Sequence, residues 1–261
     1  MTGIDRYSDY DDFAWMYNRH WGSRFTPGAL AVLGELVLPE IPAGAAILDL
    51  CCGTGQLAGY LSEAGYDVTG IDGSEEMLKY AGENAPGVDF MCDDARTFNL
   101  SRSFDLVTSF FDSLNHVMTI EELAYVFKNV YRCLLEEGLF IFDMNLERGF
   151  LDKWQGYYGI VEDDHVCLFP QSYDAGKRVA RFDATMFRLT DYWYRSDVTL
   201  LQKCYSVEEI TAALSEAGFS ILDTFEYTLE KGRKDLTADS GRAFFLCEKN
   251  RLIEDSISRP A

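Results

Sequence analysis

From residue 46 the chain alternates short apolar runs of four to six residues with longer stretches whose apolar positions recur at helical spacing. That is the grammar of a parallel sheet whose strands are joined by helices. Ala46–Leu50, Asp67–Ile71, Val88–Cys92, Phe104–Ser109 and Leu139–Met144 are the predicted strands. Helices are predicted over Gln56–Ala64, over Glu75–Asn84 behind a Ser74 cap, and from the capping box Thr119-x-x-Glu122 to Leu135, where Glu137-Gly138 ends the helix.

After Met144 the period drops to two. In Val179–Leu189, Ala180, Phe182, Ala184 and Met186 share one face against Arg181, Asp183 and Thr185, which predicts an antiparallel strand. Asp174-Ala175-Gly176 turns it against His165–Ser172, and Thr190-Asp191 turns it into Tyr192–Leu201, giving a three-stranded meander. A second capping box, Ser206-x-x-Glu209, opens a helix to Ala217, followed by strands Phe219–Leu229 and Arg242–Glu248. The fold class is therefore α/β: a doubly wound, mostly parallel seven-stranded sheet with an antiparallel β insertion. Its expected organisation is an N-terminal helical lid over 1–45, a core over 46–145, the insertion over 146–205, a return to the core over 206–249 and a loose tail over 250–261. Tyr7, Tyr10, Phe13, Trp15, Tyr17 and Trp21 crowd into the lid.

With 48% apolar and 14% aromatic residues in 261, the chain can bury a full core. Met1–Asp12 is polar and acidic with no signal-peptide pattern, and no window approaches the roughly 18 apolar residues of a membrane span, so the expected compartment is the cytoplasm. A formal charge of −20, without any basic stripe, argues against a nucleic acid partner. The seven cysteines form no C-x-x-C pair and the three histidines are scattered, so neither a metal site nor a disulfide framework is expected.

The chemistry concentrates in Ile47–Gly55, where an apolar strand carrying Asp49 runs into a glycine turn and a helix. That is a layout for a nucleotide-like ligand, with Gly53 and Gly55 letting the backbone approach it. A carboxylate inside a parallel sheet needs a partner, and a cationic ligand end supplies one. Asp72 closes the second strand, where it can accept from ribose hydroxyls. Asp94 follows the third, where it can accept from an exocyclic amine. A dinucleotide-binding dehydrogenase is the rival reading, but Asp49 beside a pyrophosphate would be repulsive.

Four ordered segments, Leu-Asp-Leu-Cys-Cys-Gly-Thr-Gly, Gly-Ile-Asp-Gly-Ser-Glu-Glu-Met-Leu, Asp93-Asp94-Ala95-Arg96 and Phe104-Asp105-Leu106-Val107, resemble the motifs of the class I, Rossmann-like S-adenosylmethionine-dependent methyltransferases. The resemblance implies S-adenosylmethionine as cofactor and S-adenosylhomocysteine as product. It implies that Gly53 and Gly55 pack on the cofactor, Asp49 lies near its amino end, Asp72 holds the ribose, Met77 and Ala95 flank the adenine, Asp94 takes the adenine amine and Phe110 lies beside the methionine portion. Cys51 stands where glycine is commonest and adds a side chain near that portion. Phe13-Ala14-x-x-Tyr17 suggests a lid over the methionine end, with Tyr17 and Trp21 in it.

The acceptor is expected beyond the fourth strand, at Phe110-Phe111-Asp112-Ser113-Leu114-Asn115-His116. Asp112 or His116 is a candidate general base; the competing structural use is a turn capped by Asp112 or Asn115 with His116 packed beneath it. Tyr157, Tyr158, Tyr192, Trp193 and Tyr194 are candidate pocket walls, and Arg195 a candidate partner for an acceptor carboxylate. The expected activity is methyl transfer to an N or O nucleophile of a small molecule. The alternatives are a cofactor-binding module without turnover and a protein or tRNA methyltransferase. A monomer and a homodimer are both compatible with the edge that the meander leaves.

Overall fold

Residues 9–250 are described by a computed structural model, so Tyr7 and the tail beyond residue 250 lie outside the described residues. Five parallel strands, β1 (Ala46–Leu50), β2 (Asp67–Asp72), β3 (Asp89–Cys92), β4 (Phe104–Ser109) and β5 (Leu134–Asn145), lie side by side in the order β5-β4-β1-β2-β3. The order reverses between β1 and β4, so a crevice opens outside their carboxyl ends. The fifth strand continues into an insertion: a short helix (Glu147–Lys153), then β6 (Gly156–Glu162), β7 (His165–Asp174), β8 (Val179–Leu189) and β9 (Trp193–Lys203) as a separate antiparallel sheet. The chain then rejoins the main sheet through β10 (Phe219–Thr228), β11 (Gly232–Asp235) and β12 (Arg242–Lys249), with β12 antiparallel between β5 and β10.

The α/β architecture with its antiparallel insertion is as the sequence predicts, with three differences in detail. The main sheet has eight strands, because β11 is too short, charged and exposed to show an apolar pattern. The insertion has four strands rather than three, because β6 is exposed along nearly all its length and shows no alternation. The helix Ile120–Cys133 stops before Leu135, since Leu134 already pairs with Phe104. Glu137, at φ +63, takes up the register shift that follows instead of ending the helix.

Local signals explain the rest. Ser74, Thr119 and Ser206 each accept a backbone N–H of the first turn, and Ser206 with Glu209 closes the reciprocal box; caps of this kind contribute about 1 kcal/mol each. In β8, Ala180, Phe182, Ala184 and Met186 are all buried. Phe182, Ala184 and Met186 cluster with Phe13 and Met16 of the lid, so part of the aromatic crowding near the N-terminus is core for the insertion. Burying Phe13 completely contributes about 1.5 to 3 kcal/mol. The lid helix Ala14–Tyr17 passes through a widened turn, Asn18–Gly22, into a longer helix, Ser23–Leu36. Asn18 Oδ1 accepts from Gln56 (3.0 Å) and Asn84 (2.8 Å), which ties that turn to the two helices following β1 and β2.

Candidate functional site

Leaving β1, the chain takes three left-handed residues in five: Cys51 (φ +60), Gly53 (φ +54) and Gly55 (φ +79). At Cys51 this costs about 1 to 2 kcal/mol, which explains why a glycine sits there more comfortably. Burial pushes the Cys51 and Cys52 thiols up, so both stay protonated at neutral pH and are poor nucleophiles. The two glycines do different things. Gly53 faces Tyr17, whose ring would sit 3.7 Å from an added Cβ, and lines the cleft. A Cβ on Gly55 would meet Ala81 at 2.9 Å and Phe90 at 3.1 Å, so this glycine lets two helices and a strand close up. Gly55 therefore has a packing role of its own, whatever its backbone contributes to the cleft.

The carboxylates are set in graded surroundings. Asp72 accepts from the backbone N–H of Gly53 (2.8 Å) and Ser74 (2.9 Å), fixing the turn to β2, and burial lifts its carboxyl to about 6. Asp49 is 3% exposed and accepts only the Thr108 hydroxyl (2.8 Å). Burial raises its carboxyl to about 7 against the lowering effect of that bond, and no cationic side chain among the described residues pairs with it. A buried acid in this state fits a cationic ligand group, whose approach would draw the proton off. Both Asp94 oxygens accept from Arg96, through Nε and Nη2 at 2.8 Å each, and Arg96 also reaches Glu122 (3.1 Å).

These residues surround connected spaces. An inner cleft is lined by Tyr17, Cys51, Gly53, Asp72, Met77, Asp94 and Ala95. A small recess beside it holds Asp49 and Phe110 with Thr26 and Gln56. An outer cavity of about 460 Å³ lies between the main sheet and the insertion and contains Trp21 and Asp112. Tyr10, Tyr17, Phe111 and His116 line both the inner cleft and the outer cavity.

At that junction Phe111 (φ +65) and Asp112 (φ +52) are consecutive left-handed residues without glycine. Their strain is offset by Asp143, which accepts both backbone N–H groups at 2.7 and 3.2 Å and is itself paired with Arg242 (2.5 Å). Burial raises the Asp143 carboxyl to about 6 while Arg242 opposes the rise. Arg242 also pairs with Asp112, whose other oxygen accepts from Gln202 at 2.5 Å. The His116 Nδ1–H donates to the Leu201 carbonyl (2.8 Å), which leaves Nε2 as acceptor for the Tyr10 hydroxyl at 3.0 Å. Burial holds His116 below its ordinary value, so the imidazole is neutral at pH 7.

The sequence did not single out Arg242, Asp143 or Gln202. Arg242 carries no local motif, although Asp143 and Asn145 at the end of an apolar strand resemble the Asp49 signal. The insertion aromatics divide: Tyr158 lines the outer cavity, together with Trp154, whereas Tyr157, Tyr192, Trp193 and Tyr194 lie exposed and do not line it. Arg195 pairs with Asp197 (2.9 Å) and is not among the residues lining the cavity. Two of the three histidines, His20 and His165, meet at 2.8 Å, yet no trio of metal-ligating side chains occurs among the described residues.

A glycine turn between buried acids, at the switch point of this sheet, defines a nucleoside-binding transferase fold, and the comparisons fix the family. Residues 47–138 match the family described as a methyltransferase domain. A putative methyltransferase of Bacillus subtilis, YqeM, is 31% identical over 220 residues, covering 82% of this chain and 88% of its own. The glycine/sarcosine N-methyltransferase of Aphanothece halophytica is 30% identical over 195 residues, covering 69% and 68%. A crystal structure of an S-adenosylmethionine-dependent methyltransferase from Clostridium acetobutylicum shares the fold, with TM-score 0.77 at 24% identity over 93% of this chain and 99% of that one. The chain belongs to the class I S-adenosylmethionine-dependent methyltransferases, and its cofactor is S-adenosylmethionine.

Proposed function

We propose that this methyltransferase acts on the nitrogen of a small-molecule amine bound in the outer cavity. The observation that carries the reading is the junction of Tyr10, Tyr17, Phe111 and His116, which joins the inner cleft to a cavity of about 460 Å³, a size suited to a small molecule. The glycine/sarcosine N-methyltransferase among the relatives acts, by its name, on small amines.

S-adenosylmethionine supplies an electrophilic methyl group on a sulfonium sulfur and is left as S-adenosylhomocysteine. In this reading Asp49 receives the amino group of its methionine end, Asp72 the ribose hydroxyls, and Met77 and Ala95 flank the adenine, with Asp94 at its edge. Gly53, Cys51 and Phe110 border the methionine portion, under Tyr17. Tyr17 and Phe111 exclude water where the two spaces meet, and the pocket aligns the amine in line with the methyl carbon, a positioning effect that can lower the barrier by about 7 to 11 kcal/mol. His116 is the general base: its neutral Nε2 exchanges the Tyr10 hydroxyl for the proton that the amine sheds. Asp112, committed to Arg242 and Gln202, shapes the turn instead. Trp21 belongs to the acceptor wall. The free cysteines of the described chain suit a reducing compartment such as the cytoplasm.

The test is S-adenosylhomocysteine release with matched pairs of primary amines and alcohols. Turnover with amines is expected. Turnover with alcohols alone would reverse the choice of nucleophile, and none with any acceptor in a metabolite extract would leave a binding module.

A further inference from the structure

The outer cavity has the wrong charge for this protein. The chain carries a formal −20, yet Arg24, Lys153 and Arg242 line the cavity against one carboxylate, Asp112. Arg242 is committed to Asp112 and Asp143. Arg24, on the lid helix, and Lys153, at the end of the short helix that opens the insertion, have no carboxylate partner among the described residues. Several other cations are each held by a carboxylate, as Arg19 by Asp164, Arg96 by Asp94, Arg178 by Glu209 and Arg181 by Asp183. A neighbouring cavity that also touches Lys153 and Arg242 sets four carboxylates, Asp143, Asp152, Glu226 and Asp239, against them, so an anion is favoured in the outer cavity over this one.

We propose that the acceptor carries an anionic group, a carboxylate or a phosphate, and that Arg24 and Lys153, which both line the outer cavity, bind it. The two cations come from different segments, one from the lid and one from the insertion, and line one cavity, where a single anion can be met by both. A purely cationic amine would meet repulsion in the same place. The handle fixes one end of the acceptor and leaves the nucleophile to reach the Tyr17–Phe111 junction. This assignment deepens the small-amine reading and rests on it only for the identity of the nucleophile.

Two measurements on the full chain separate the inferences. The first compares methyl transfer to glycine with glycinamide, and to phosphoethanolamine with ethanolamine, for wild type and the double variant Arg24→Ala/Lys153→Ala. The anionic member of at least one pair is expected to lead by about 10-fold in kcat/KM, through KM, and to lose that lead in the variant. The pair that shows the effect tells a carboxylate from a phosphate. A preference for the neutral member, or one that survives in the variant, overturns the proposal. The second needs no turnover: Trp21 and Trp154 line the same cavity, so tryptophan fluorescence is quenched with iodide and with caesium. Iodide quenching is expected to fall about two-fold in the variant while caesium quenching rises. Unchanged quenching by both ions overturns the proposal even where no amine is methylated, the result that would sink the small-amine reading itself.

Discussion

The inner cleft and the outer cavity meet at four side chains, but they are made differently. The cleft is built where strands end: a left-handed turn after β1, Asp72 at the close of β2 and Asp94 just after β3, all within about fifty residues of sequence. Its strand-end groups are acids, one of them, Asp94, paired with Arg96, and backbone N–H groups hold another, Asp72, in place. The cavity is assembled from the lid, the turn after β4, the insertion and β12, and its polar groups are cations and one neutral histidine around a single carboxylate. In the proposed reading a fixed cofactor is met by main chain and short spacing, whereas an acceptor is met by long side chains brought from remote segments, which can change without disturbing the sheet.

Substitutions can break that division, the largest effect falling at the joint itself. Arg242→Ala leaves Asp143, 1% exposed, without its cation and releases the strained Phe111-Asp112 turn. A loss of about 3 kcal/mol is expected at pH 8, the low end for a broken buried pair because Arg242 is about one-third exposed, read as a fall in Tm of roughly 6 to 12 °C. The loss shrinks towards pH 5: the Asp143 carboxyl is raised to about 6, so its protonated form favours the fold and that benefit disappears as pH rises through 6. An equal loss at both pH values would remove Asp143 from the account.

Asp49→Asn sharpens the cleft side. It is expected to weaken S-adenosylmethionine binding by about 10- to 100-fold in calorimetric titration, the worth of a charge-assisted bond. It should not lower the Tm of the free protein, because a carboxyl raised to about 7 costs stability above that pH instead of adding it. His116→Gln is next, with kcat lower by about 10-fold, modest for a general base since water can also take the proton. In the wild type the acid limb of kcat/KM should lie below the ordinary histidine value of about 6.5, and a limb above it would contradict the neutral imidazole. Arg195→Ala is the smallest: its pairing with Asp197 lies outside the cavity, and neither KM nor Tm should move measurably.

The same division decides what the sequence makes legible. Strand-end acids and the glycine turn are local, so Asp49, Gly53 and Asp72 stand out in the sequence as candidates at the ends of apolar runs, whereas Met77 is marked only by the family resemblance; the structure puts Gly53, Asp72 and Met77 in the inner cleft and Asp49 in the recess beside it. The tight packing at Gly55 is not legible, because its partner Ala81 lies on another helix and a packing glycine looks like a binding one. Arg242, Gln202 and Tyr10 converge on His116 and Asp112 from up to 130 residues away, with no periodicity to announce them. Strands β6 and β11 escape for a related reason: exposed edge strands bury too little to print an alternation.

The central claim is that a small acceptor in the outer cavity receives its methyl group from the cofactor in the cleft. Its most direct test is incubation of the protein with a metabolite extract and deuteromethyl-labelled S-adenosylmethionine, followed by mass spectrometry of the small molecules, the protein fraction and the RNA. An amine gaining one deuteromethyl group with wild type, and much less with Asp49→Asn, is the expected result. Label confined to protein or RNA would contradict it.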